Sequence, residues 1–148
     1  MELGSILQFL ENKTILVTGV TGFLAKTFVE KILRVQPYVK KLYLLLRAAD
    51  ATSASYRFHN EVIYIRSSKC LILYLLDSLV PSYKDLFRVA KETLGANFDA
   101  IIAKKITVVC GDVCYEDLGI KDSSLREDMM NELDIVLNSA ATTNFYER

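Results

Sequence analysis

The residues with the clearest chemical promise run Thr18-Gly19-Val20-Thr21-Gly22-Phe23-Leu24-Ala25. Glycine at 19 lets a chain turn tightly without a Cβ clash. Glycine at 22 lets backbone amides approach a pyrophosphate at a helix N-terminus, where the dipole and unpaired N–H groups favour an anion. The small Ala25 permits close helix-to-strand packing. A glycine pair alone is a weak signal, since turns use glycine for many reasons. This one follows a strand pattern and opens a helical one, the setting that marks a dinucleotide-binding turn. The competing reading is a merely structural turn.

Three further groups could complete such a site. Arg47 follows the second strand pattern, where a site preferring NAD usually places an acid on the ribose 2′-hydroxyl. A guanidinium there can pair with a 2′-phosphate and favours NADP. Arg47 as a plain surface charge is the alternative, and nearby Asp50 leaves NAD open. Asp112 in Gly111-Asp112-Val113 could accept from an adenine amino group, or could simply be a turn or N-cap aspartate. Asn138-Ser139-Ala140-Ala141-Thr142-Thr143 offers small residues that would let a nicotinamide ribose approach the backbone. His59 reads as a helix-surface residue. Cys70, Cys110 and Cys114 cannot all pair and form no C-x-x-C, so they read as reduced thiols. One histidine and scattered thiols supply no zinc cluster, and no metal is expected.

The elements that must position these groups alternate strand with helix. Thr14–Thr18 reads as a strand buried on both faces. Phe23–Val35 reads as an amphipathic helix with Leu24, Phe28, Val29, Ile32 and Leu33 inward and Lys26, Glu30, Lys31 and Arg34 outward. Lys41–Leu46 is a second buried strand, which completes a βαβ unit and forces parallel pairing with a right-handed crossover. Lys105–Val109 and Asp134–Asn138 read as further strands. Ser82 can cap a helix from Tyr83 to Leu94, stopped at Gly95. Asp122–Glu132 is acidic and helical. The pattern is an open α/β sheet of about four strands, part of a Rossmann-like doubly wound fold. Residues 64–83 break the rhythm: an apolar, aromatic stretch interrupted by Pro81 that fits a core helix, an insertion or a membrane-surface segment.

Composition narrows the class. The chain has 148 residues, 18 Lys+Arg against 18 Asp+Glu, and 51% hydrophobic residues, a balance typical of one folded domain. Zero net charge argues against nucleic-acid binding through a broad basic face. Charge is nonetheless uneven: residues 24–50 carry six bases against two acids, and residues 111–148 nine acids against three bases. The first 13 residues match neither a signal nor a transit peptide. The apolar run Cys70–Leu76 is far short of the roughly 20 residues of a membrane-spanning helix.

Taken together, Thr18–Ala25, Leu44-Leu45-Leu46-Arg47-Ala48, Gly111-Asp112-Val113 and Asn138–Phe145 resemble the alcohol-forming fatty acyl-CoA reductases, especially the plant type. That family is a branch of the extended short-chain dehydrogenase/reductases. The resemblance covers most of the chain. It implies NADPH-dependent reduction of a long-chain fatty acyl-CoA to a primary alcohol through an aldehyde, with CoA released. It also implies a cofactor site built from Thr18, Gly19, Thr21, Gly22, Phe23, Leu24, Arg47, Asp112, Val113, Ala140 and Ala141. Lipid metabolism follows as the setting, with cytosol or the face of the endoplasmic reticulum expected ahead of plastid.

Two departures qualify the likeness. Residues 64–83 look like an insertion without a family counterpart. The family also reduces through a Tyr-x-x-x-Lys pair, in which lysine lowers the pKa of the proton-donating tyrosine. None of the eight tyrosines has lysine four residues on, so no catalytic residue is assigned. The chain therefore reads as a partial NAD(P)-binding domain over residues 1–148, ending before the catalytic half and inactive alone. Another extended dehydrogenase or epimerase, or a non-catalytic nucleotide-binding fragment, remains as a rival. The fourth strand is expected to be an uncovered edge, and the isolated chain marginally stable.

Overall fold

A computed structural model describes residues 3–63 and 86–141. The proposed insertion at 64–83, Thr142 and Thr143 lie outside the described residues. Four parallel strands form one sheet in the order β3-β2-β1-β4: β1 Thr14–Thr18, β2 Lys41–Leu46, β3 Ile106–Cys110 and β4 Ile135–Asn138. The register sets Ile15 against both Leu42 and Ile135, and Thr18 against Asn138. Leu46 pairs with Cys110. The C-terminal ends of all four strands thus finish along one edge, where the loops that follow them meet.

Every residue of β1, and all of β2 after Lys41, is buried, as unbroken apolar runs with both faces covered require. Helix α2 (Phe23–Val35) buries Ala25, Val29, Ile32 and Leu33, a spacing of one helical face. These residues join Ile15, Val17, Leu42, Leu44 and Leu46 in the larger core. Each such aliphatic side chain, fully buried, contributes about 1.5–3 kcal/mol. Beyond β2, helix α3 (Ala51–Arg57) runs into a π-helical segment, Phe58–Ile63, whose Phe58 and Val62 cover the same face. Helices α4 (Arg88–Leu94) and α5 (Phe98–Lys105) add Ala90, Phe98 and Ile102. On the opposite face Leu16, Tyr43, Leu45 and Val109 meet Met129 of helix α6 (Ser123–Glu132). Helices on both faces of a parallel sheet make a doubly wound architecture.

Several expectations need adjustment. Glu30, expected in water, is 5% exposed because Arg34 pairs with it at 2.8 Å, one turn on. Leu24, counted with the inward face, is 70% exposed. Residues 86–87 are a turn and the described helix begins at Arg88, while Ser82 and Tyr83 lie outside the described residues. Gly95 ends α4 at φ +54, as expected. The short helix α5 that follows buries Phe98 and Ile102, with Ile101 partly buried against the same core, and it takes in Lys105, where the sequence pattern starts β3. Helix α1 (Leu3–Leu10) was also missed. It is tied down by Gln36, whose Nε2 donates to the Leu7 carbonyl while its Oε1 accepts from the Tyr38 amide at 3.1 Å.

Candidate cofactor-binding site

The turn after β1 is held by contacts that only glycine permits. Gly19 sits at φ +67, and a Cβ placed on it would lie 2.5 Å from the carbonyl carbon and oxygen of Ser139 and 2.6 Å from the Ala140 nitrogen. Both the conformation and the approach of the loop after β4 therefore exclude a side chain. Gly22 also braces this turn. Its N–H donates to the Gly19 carbonyl at 2.8 Å and closes the turn, with φ an ordinary −77°. Helix α2 has Gly22 at its N-cap, which offers no side-chain cap. The positive end of its dipole lies beside Thr21 and Gly22.

Thr18 serves that turn from beneath. It is 3% exposed; its hydroxyl donates to Asn138 Oδ1 at 2.5 Å and accepts from the amides of Ser139 at 3.2 Å and Ala140 at 3.4 Å. The hydroxyl is thereby fully engaged in locking the end of β1 to the end of β4. This places Ser139, Ala140 and Ala141 on the cleft.

Arg47 leaves β2 at its C-terminal end with an exposed side chain that makes no salt bridge among the described residues. Its carbonyl accepts from Nη1 of Arg57, whose other nitrogens fork onto Glu61: Nε to Oε1 and Nη2 to Oε2, each at 2.8 Å. The Arg57 hydrogen bonds hold the Glu61 carboxyl below its usual range, with Lys26 adding a smaller pull. Asp50 caps α3 by accepting from the Ser53 amide at 2.7 Å.

The third wall is the loop after β3. Gly111 donates to the Leu46 carbonyl at 3.0 Å, and a Cβ on it would meet the Leu118 oxygen at 2.4 Å. Asp117, Leu118 and Gly119 all have positive φ, a reversal that returns the Leu118 carbonyl to the Asp112 amide at 2.7 Å. Such a backbone is uncommon for leucine. Arg126 steadies it with a 2.9 Å ion pair to Asp117. The Asp112 carboxylate accepts from the Cys114 amide at 3.0 Å, which with the Arg47 charge holds its pKa below the usual value. The same carboxylate pushes the Cys114 thiol up, away from a reactive thiolate.

These walls enclose a cleft of about 770 Å³ along the C-terminal edge of the sheet. It brings together Gly19, Thr21, Gly22, Arg47, Asp112, Val113, Ala140 and Ala141 from the expected set. Thr18 lies behind it, and Phe23 and Leu24 stand exposed at the start of α2 without lining it. A second cavity of about 800 Å³ adjoins it across Arg47, Gly111 and Asp112, floored by Ala48, Val108, Cys110 and Ile120. Arg57 and Cys114 also line the first cleft and were missed. The four-residue spacing of Arg57 and Glu61 signals an ion pair but not its contact with Arg47. Among the described residues no group of three or more His, Cys, Asp or Glu is placed to hold a metal, and no helix is long and apolar enough to cross a membrane.

Known proteins resemble the chain in sequence and in fold. The chain is 53% identical over 147 residues to the alcohol-forming fatty acyl-CoA reductase of Simmondsia chinensis, covering 99% of this chain and 26% of that protein. It is 54% identical over 143 residues to the probable fatty acyl-CoA reductase 4 of Arabidopsis thaliana, covering 96% and 25%. The chain thus spans about a quarter of the length of these relatives. Among solved structures, the reductase domain of a non-ribosomal peptide synthetase from Mycobacterium tuberculosis superposes with a TM-score of 0.58 at 24% identity, covering 99% of this chain and 30% of that one. The terminal R domain of the myxalamid pathway gives 0.57 at 20%, covering 93% and 27%; at these identities the likeness speaks for the fold. An NAD-binding family model described as "Male sterility protein" matches residues 17–148, and the chain belongs to that family.

Proposed function

We propose that this chain is the cofactor-binding part of an NADPH-dependent fatty acyl-CoA reductase, which converts a long-chain acyl-CoA to a primary alcohol and releases CoA. The observation that carries the reading is the union, on one cleft, of the glycine turn that leads into α2 with an exposed Arg47 guanidinium that has no ion-pair partner among the described residues. An anionic dinucleotide suits both: the pyrophosphate at the helix dipole and the 2′-phosphate at the guanidinium. The substrate class comes from the curated relatives named above.

On this reading the turn at Gly19–Gly22 orients the pyrophosphate, and Asp112 with Val113 borders the adenine. Ala140 and Ala141 give the nicotinamide ribose a wall without side-chain bulk. NADPH, when bound, supplies the hydride. The proton donor is not assigned: none of the seven tyrosines up to Tyr115 has lysine four residues on.

The test is acyl-CoA-dependent NADPH oxidation by the full-length protein, with the alcohol product identified by gas chromatography. NADPH consumption coupled to alcohol supports the proposal. Binding of nucleotide with no reduction of any acyl-CoA would favour a non-catalytic nucleotide-binding role.

A further inference from the structure

We infer that Glu61 is a positioning residue for cofactor choice, acting through Arg57 on the backbone that presents Arg47. The inference rests on the proposed pairing of Arg47 with a 2′-phosphate. Three successive carbonyls at the exit of β2 are each held by a different donor. The Gly111 amide donates to Leu46 at 3.0 Å, Arg57 Nη1 donates to Arg47, and the Cys110 thiol donates to Ala48 at 3.2 Å. The outer two donors belong to β3 and its exit, part of the sheet itself. The middle one is a long side chain on α3, which could take many rotamers if left alone.

Glu61 removes that freedom. It receives Nε and Nη2 of Arg57 in a two-pronged fork, each bond 2.8 Å, from the π-helical segment that follows α3. A planar guanidinium held at two nitrogens has its third aimed in one direction, here at the Arg47 carbonyl. A fixed carbonyl fixes the adjacent Cα, and with it the direction in which the Arg47 side chain leaves for the cleft. Position matters because charge-assisted pairing with a phosphate depends steeply on geometry. Arg57 itself lines the cleft, so a rival role is direct contact with the phosphate. The two roles differ in what Glu61 does: as a strut it supports NADPH choice, and as a competitor for Arg57 it opposes it.

The experiment measures dissociation constants of NADPH and NADH by fluorescence titration on the full-length protein and on Glu61→Ala, Glu61→Gln and Arg47→Ala. Melting temperatures accompany each titration. The ratio of the two constants is expected to shift against NADPH about tenfold in Glu61→Ala, equivalent to about 1.4 kcal/mol. Glu61→Gln, which keeps one acceptor, should lose part of it and covers the case in which the alanine variant fails to fold. An unchanged or increased preference for NADPH in the Glu61 variants overturns the inference while leaving Arg47 in place. An unchanged ratio in Arg47→Ala removes the reading on which the inference stands, and the inference with it.

Discussion

Replacing Gly19 with alanine tests the join between the two loops that build the cleft. At φ +67 an alanine pays the left-handed penalty of about 1–2 kcal/mol. Its Cβ would also stand 2.5 Å from the carbonyl group of Ser139 and 2.6 Å from the Ala140 nitrogen, all backbone atoms with no rotamer to yield. Overpacking of this kind costs about 1–3 kcal/mol more. The sum, about 2–5 kcal/mol, is a large part of a typical domain stability of about 5–15 kcal/mol. Gly119→Ala provides the control: its φ is +61, but a Cβ there meets only ordinary contacts at 3.4–3.5 Å, so about 1–2 kcal/mol is expected. Urea unfolding of both variants, followed by far-UV circular dichroism, reads the difference. With a slope of about 1–3 kcal/mol per molar, Gly19→Ala should lower the midpoint by about 1–2 M and Gly119→Ala by less. Equal midpoints for the two variants would refute the close approach of the β1 and β4 loops.

Arg47→Ala should weaken NADPH binding about tenfold or more while moving NADH far less; equal losses would remove Arg47 from the 2′-phosphate. Thr18→Val strips one donor and one acceptor from the lock on β4 and should cost about 1–3 kcal/mol, measured by the same urea assay. Thr14→Val should be neutral or stabilising by up to about 1 kcal/mol, because the buried Thr14 hydroxyl finds no partner among the described residues. Asp134, held below its usual pKa mainly by the Thr14 amide at 2.8 Å, stabilises the fold in its charged form. That stabilisation is present above the unfolded value near 4 and is lost as pH falls through the lower folded value. Melts of Asp134→Asn against the parent should therefore converge toward acid pH; a gap that stays constant from pH 7 to 3 contradicts the assignment.

The sheet was legible because its strands are buried on both faces: Thr14–Thr18 and Lys41–Leu46 contain the longest β-branched and aliphatic runs near the glycine turn. Helix α2 was legible from its period and ends where expected. Short helices were not. In α5 eight residues, with Phe98, Ile101 and Ile102 inward, make too short a span to outweigh the stop at Gly95, and α1 owes its place to Gln36, a partner 29 residues away. The same limit applies in the site. Residue type and place named Arg47 and Asp112, since each follows a strand. The second duty of Gly19, room for Ser139 and Ala140, and the grip of Arg57 on Arg47 depend on pairings between segments distant in sequence, which no local spacing encodes.

The cleft between the Gly19–Gly22 turn, Arg47 and the Asp112–Val113 loop is the proposed seat of the dinucleotide. A crystal structure of the protein soaked with NADP⁺ addresses it directly. The expected result is the pyrophosphate at the first turn of α2, with the 2′-phosphate within hydrogen-bond distance of the Arg47 guanidinium. A dinucleotide lying instead in the adjoining cavity floored by Val108 and Ile120, with the helix terminus empty, would contradict it.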